Sequence, residues 1–133
     1  MEEYKHGEEL AMKCLEATGH SIIDRRDTKE YWYLDIDMTA INQLGMRFEI
    51  EVKWDKQISK TQSMFLETTA DINNNKAGWA TYTKADYIFY GDAINKLFYV
   101  FKADDMREYL DRYNNEYEER IANDWGRNGK LRK

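Results

Sequence analysis

The sequence predicts a mixed α/β (α+β) domain, a central mixed sheet of about five strands flanked by helices. Three observations point there. Apolar residues recur at helical spacing near the N-terminus, strand-like alternation fills the middle of the chain, and a second amphipathic helix follows the last pair of strands. The organising stretch is Tyr31 to Asp55, YWYLDIDMTAINQLGMRFEIEVKWD, which reads as two strands joined by a turn at Leu44-Gly45.

Taken in order, residues 3 to 18 form the first predicted helix, with Gly7, Leu10, Ala11, Cys14, Leu15 and Thr18 on its apolar stripe and Gly19 as its stop. Cys14 is therefore expected in the core. A first strand is centred on Ser21-Ile22-Ile23, followed by a polar turn, Arg25 to Lys29. Either arginine could touch a phosphate, and a solvated turn is the simpler reading. After the hairpin, Met64 to Glu67 reads as a short strand, and Asn73-Asn74-Asn75-Lys76 with Gly78 as a loop. Glu67 is either an exposed strand end or a further carboxylate near the site. Trp79, Tyr82 and Lys84 combine aromatic and cationic groups that can stack on bases, while Trp79 can equally pack over the sheet. Ala85 to Tyr90 and Leu97 to Phe101 form the strongest strand pair. Asp105 and Glu108 then make a capping-box-like start to a helix carrying Met106, Tyr109, Leu110, Tyr113 and Tyr117 and running to Ile121. Residues 1–121 are thus read as a single domain and 122–133 as a polar basic tail.

Composition narrows the class. The chain of 133 residues is long enough for one core. No run approaches the roughly 20 apolar residues of a membrane span, and MEEYKHGEEL lacks the pattern of a secretory signal. With Cys14 alone no internal disulfide can close, so a reducing cytoplasm is the default location. His6 and His20 are not at zinc-ligand spacing. The net charge of −5 sits awkwardly with nucleic-acid binding. The cations are uneven, however: Lys53 ends the Glu51-Val52-Lys53 motif, Lys56 and Lys60 follow it, and Arg127, Lys130, Arg132 and Lys133 end the chain.

The chemistry lies in the hairpin. Strand side chains alternate faces, so Phe48, Ile50, Val52 and Trp54 share a core face while Glu49, Glu51, Lys53 and Asp55 share the other. In the first strand Trp32, Leu34, Ile36 and Met38 alternate with Tyr31, Tyr33, Asp35 and Asp37. A solvated polar face is the ordinary explanation of such alternation. Against it, Asp is depleted in strands, and carboxylates this close repel unless a cation compensates. A bound metal would be that cation.

Asp37, thirteen intervening residues, then Glu51-Val52-Lys53 resembles the core of the PD-(D/E)xK nuclease superfamily, which includes restriction endonucleases and Holliday-junction resolvases. The motif's proline is replaced by Ile36. The resemblance implies a restriction endonuclease-like core and a Mg²⁺-dependent DNA endonuclease, with Mn²⁺ as substitute metal. Asp37 and Glu51 would be metal ligands, the Val52 carbonyl a further one, and Lys53 the group that orients the attacking water. Asp35, sixteen residues before Glu51, rivals Asp37 as the first carboxylate. The stretch Glu8 to Gly19 is similar to the first helix of resolvase-like members, whose Glu reaches the metal; the plainer reading of Glu8 is an exposed residue in an acidic first turn. DNA is the implied partner, no membrane is, and dimerisation is common among such enzymes that cut both strands. The alternative is a non-catalytic phage or regulatory interaction protein on the same scaffold.

Overall fold

The structure, a computed structural model, describes residues 3–71, 76–112, 119–124 and 127–132. Its elements run α1 (Glu3–Ala17), β1 (Ser21–Asp24), α2 (Lys29–Leu34), β2 (Met38–Ile41), β3 (Arg47–Asp55), α3 (Ile58–Thr61), β4 (Leu66–Asp71), β5 (Lys76–Ala77), α4 (Trp79–Tyr82), β6 (Tyr87–Asp92), β7 (Leu97–Lys102), α5 (Ala103–Arg112), β8 (Glu119–Asp124) and β9 (Arg127–Arg132). The main sheet has five strands in the order β1-β2-β3-β6-β7. Only β3 and β6 are parallel; the other neighbours are antiparallel. The parallel pair needs a long crossover, and the segment from α3 to α4 supplies it. This is the mixed sheet with flanking helices that the sequence predicts.

Helix α1 lies on one face of the sheet. Gly7, Glu8, Ala11 and Leu15 are its buried residues, and Ala11 and Leu15 meet Met38, Ala40, Ile50, Val52 and Phe89. Cys14, predicted on this stripe, is exposed. The buried line runs through positions 7, 11 and 15, and Cys14 falls one step of about 100° outside it. The close approach of α1 depends on Gly7: a Cβ there would lie 2.7 Å from Cδ2 of Trp54. Gly91 of β6 flanks the same indole, where a Cβ would lie 2.3 Å from Cε3. At the helix end Gly19 has φ +87°, and the amides of Gly19 and His20 bond back to the carbonyls of Glu16 and Leu15.

The opposite face is covered by α4, α5 and the crossover. Ile58, Leu66, Trp79, Ala80, Ile88, Tyr90, Met106 and Leu110 form the core there, joined by Ile36. Ile36 and Met38 therefore serve opposite faces of the sheet, rather than the single face that alternation assigns them. The reason is α2. Tyr31 to Leu34, predicted as strand, make a short helix that stops at Asp35, whose backbone is left-handed (φ 57°, ψ 53°). Asp tolerates that conformation better than a branched or bulky residue. Beyond it, β2 pairs with β3 as expected, in register Met38↔Ile50. The turn is closed by Gly45 (φ +80°) and by the Asn42 side chain, which accepts the amides of Leu44 and Met46.

Further along, the strand predicted at Met64 begins at Leu66, and α5 begins at Ala103, which puts Asp105 and Glu108 inside the helix rather than at its cap. Met106 and Leu110 are buried as predicted, while Tyr109 is exposed. The helix ends at Arg112; Ile121 lies in β8, and β9 occupies part of the predicted tail. These two strands join β4 and β5 in a second sheet, ordered β5-β4-β9-β8. Asn73, Asn74, Asn75, Tyr113, Tyr117 and Lys133 lie outside the described residues. No helix among those described is long and apolar enough to cross a membrane.

Candidate active site

The fold brings the predicted residues to one end of β2 and β3, where α1, α2 and α4 converge. Asp37 sits immediately before β2. Its amide donates to the carbonyl of Ile50 (2.9 Å), and its own carbonyl accepts the Arg25 amide (2.9 Å). The Asp37 carboxylate accepts the Val52 amide at 2.8 Å. That bond fixes Asp37 beside the backbone between Glu51 and Lys53. Alternation along β3 then turns Glu51 and Lys53 to the side away from α1, while Val52 enters the core under α1.

Glu51 is only 4% exposed. Lys53 Nζ lies 3.0 Å from Glu51 Oε1 and 4.0 Å from Asp35 Oδ2. The same ammonium sits 4.8 Å from the ring centroid of Trp79, a cation–π contact that holds it from the other side. Asp35 arrives on its left-handed turn, held from behind by Thr83, whose hydroxyl donates to the Asp35 carbonyl (3.1 Å), and by the Lys84 amide, which donates to the Leu34 carbonyl (2.9 Å). Oδ2 of Asp35 is buried with no hydrogen-bond partner among the described residues.

Glu8 completes the cluster from α1. It is buried beside Asp37 and accepts a hydrogen bond from Arg26 at 3.3 Å. Arg26 also binds Glu9 (3.0 Å) and Asp24 (2.6 Å), so its charge is already shared among three carboxylates. Neither the exposed first-turn reading of Glu8 nor the free-turn reading of Arg26 describes their places. Arg25 instead packs over Tyr31, 4.3 Å from the ring centroid, and donates to Thr39.

The electrostatics are those of an anionic pocket short of cations. Burial is the largest cause in every acid, and it pushes each carboxyl up. Glu8 rises to about 7 through burial and the Asp37 charge, against the opposing Arg26 hydrogen bond. Asp37 rises by burial despite the Val52 amide and Lys53. Asp35 does so despite Lys53, and Glu51 lies well above the usual range. For Lys53 burial alone would lower the pKa, but Glu51, Asp35 and Asp37 outweigh it, so the ammonium is held more firmly than usual.

An orphaned buried carboxylate oxygen among resisted charges suits a hard divalent cation, which takes oxygen ligands. No three such side chains already stand together at metal-ligand spacing among the described residues. Lys53, between Glu51 and Asp35, is the compensating cation in this arrangement.

The remaining candidates divide. Trp79 is buried in the core under the sheet, as its packing reading has it, with its ring against Lys53. Tyr82 rims the pocket: burial first, then the Asp35 charge, push its hydroxyl up. Glu67 is half-buried in β4, its backbone against Gly78. Lys56 follows the end of β3 and Lys60 lies in α3, and both are exposed. Thr83 and the Arg26 triad escape sequence reasoning, because their partners are far along the chain.

No family model matches this sequence, and no curated protein matches it. A solved structure described as that of a bacterial homing endonuclease, I-Ssp6803I, does align, with a TM-score of 0.60 over 80% of this chain and 71% of that one. The chain shares that protein's fold. Identity across the alignment is 17%, so the likeness concerns architecture and not the residues of the pocket.

Proposed function

We propose that this chain is a divalent-metal-dependent nuclease that hydrolyses phosphodiester bonds in DNA. One observation carries the reading: half-buried Asp37 and Lys53 stand beside buried Glu51, with the Asp37 carboxylate held by the Val52 amide between them. The fold shared with a bacterial homing endonuclease supports it. Asp37 and Glu51 would hold the metal, Mg²⁺ or Mn²⁺, with Asp35, Glu8 and the Val52 carbonyl as further oxygen donors. When bound, such an ion neutralises phosphate charge and lowers the pKa of water.

The chain's own groups do the rest. Lys53 stays protonated, so it acts as a hydrogen-bond donor to the developing negative charge and not as a base. Glu8, raised to about 7 by burial and the Asp37 charge, can exchange a proton near neutral pH. Trp79 keeps the ammonium at the pocket mouth.

The net charge of −5 and the open spacing of the carboxylates favour a second reading, a non-catalytic interaction protein on the same scaffold. Nicking of supercoiled plasmid separates them. The wild type should nick with Mg²⁺ and stop with EDTA, while Lys53→Met and Glu51→Gln, verified as folded by circular dichroism, should not nick. Wild-type nicking rates in both folded variants would refute the assignment, and a folded wild type that nicks nothing would favour the second reading.

A further inference from the structure

Beside the pocket lies a patch that the mechanism does not use. Trp32 is 58% exposed and Tyr33 74%, with Leu34 at 39% and Tyr82 at 36%. Monomeric surfaces rarely cluster large apolar side chains without a partner. The patch is continuous with the site: Leu34 leads directly into Asp35, and the Lys84 amide on its carbonyl brings the end of α4, with Tyr82, alongside. Trp32 is anchored, not loose, since its indole N–H donates to the Arg26 carbonyl. Exposed Lys29 and Lys84 flank the patch.

We infer that this aromatic surface stacks unpaired nucleobases of the DNA strand presented to the pocket. The substrate class is therefore DNA with single-stranded or frayed nucleotides next to the scissile phosphate. Flat rings suit base faces, and a duplex hides those faces within its own stack. The net charge of −5 works against phosphate-dominated binding, so base stacking carries the larger share of the affinity in this mode. The lysines serve the phosphates that flank the stacked bases. The inference takes its location from the nuclease reading above.

The test uses the full chain in EDTA, with fluorescence anisotropy on three labelled DNAs of one sequence: single strand, duplex with an overhang, and blunt duplex. Wild type should prefer the first two. The double variant Trp32→Ala/Tyr33→Ala should lose about tenfold or more on unpaired DNA, the size of a lost base–aromatic stack, and with it the preference. Trp32→Phe/Tyr33→Phe, which keeps flat rings, should retain the preference. Equal losses on all three DNAs, or no loss, overturn the proposal. So does sedimentation showing that wild type self-associates through this patch and the alanine variant does not. Cleavage with Mg²⁺ is scored apart. Retained preference without cleavage supports the stacking surface and fails the nuclease reading. Cleavage of blunt duplex with no preference overturns the surface and leaves the nuclease reading standing.

Discussion

Replacing Glu8 with Gln should make the protein more stable at pH 8, although it removes a charged partner of Arg26. The Glu8 side chain is 11% exposed, and its pKa rises from 4.5 to about 7, first through burial and then through Asp37. The folded value lies above the unfolded one, so the folded chain holds the proton more tightly. The stabilisation is complete below pH 4.5 and is lost as pH rises through about 7. At about 1.4 kcal/mol per pH unit, ionised Glu8 costs the fold up to about 3 kcal/mol at pH 8. Glutamine keeps the neutral form at every pH. The rise to about 7 already contains the lowering by Arg26, so the gain is up to about 3 kcal/mol at pH 8 and vanishes near pH 4.5. Urea unfolding of both proteins in EDTA across that range measures it. A variant less stable than wild type at pH 8 would mean that Arg26 keeps Glu8 comfortably charged, and the picture of a cation-starved pocket would fail.

Two further outcomes follow from the packing. Gly91→Ala would push a methyl into the Trp54 ring and should destabilise by about 1–3 kcal/mol, and adding Trp54→Leu should recover part of that loss in a urea-unfolding double-mutant cycle; simple additivity would show that the ring moves aside freely. Trp79→Phe should keep the ring under Lys53. Trp79→Leu should not, and its single-turnover nicking rate should fall roughly 2- to 30-fold below that of the phenylalanine variant, the range of one cation–π contact. Equal rates would remove Trp79 from the positioning of the ammonium.

Much of this arrangement is legible along the chain. The alternation in FEIEVKWD fixes β3 and the face that carries Glu51 and Lys53, and the apolar runs at Tyr87 and Leu97 fix the hairpin that completes the sheet. Strand periodicity works in β3 because its two faces differ in polarity, apolar under α1 and charged toward the pocket, although both are covered. It misleads at Tyr31 to Leu34, where an aromatic, strand-prone run becomes a helix. The deciding contacts come from Thr83, 48 residues beyond Asp35, and from Lys84 beside it. Such distant clamps leave no local signal. For the same reason the second sheet is invisible: β4 pairs with β9, from the far end of the chain, and the polar composition of 122–133 carries little strand preference. Within the pocket, types and spacing mark Asp37, Glu51 and Lys53. The partners that tune them, Arg26 on Glu8 and Trp79 under Lys53, depend on how α1 and α4 fold back onto the sheet.

A crystal grown with Mn²⁺ and measured at the manganese edge tests the central claim most directly. The account predicts an anomalous peak in contact with the carboxylates of Asp37 and Glu51, with Lys53 displaced from Glu51. A pocket in which Lys53 stays paired to Glu51, while Mn²⁺ binds elsewhere on the same molecule, would contradict it.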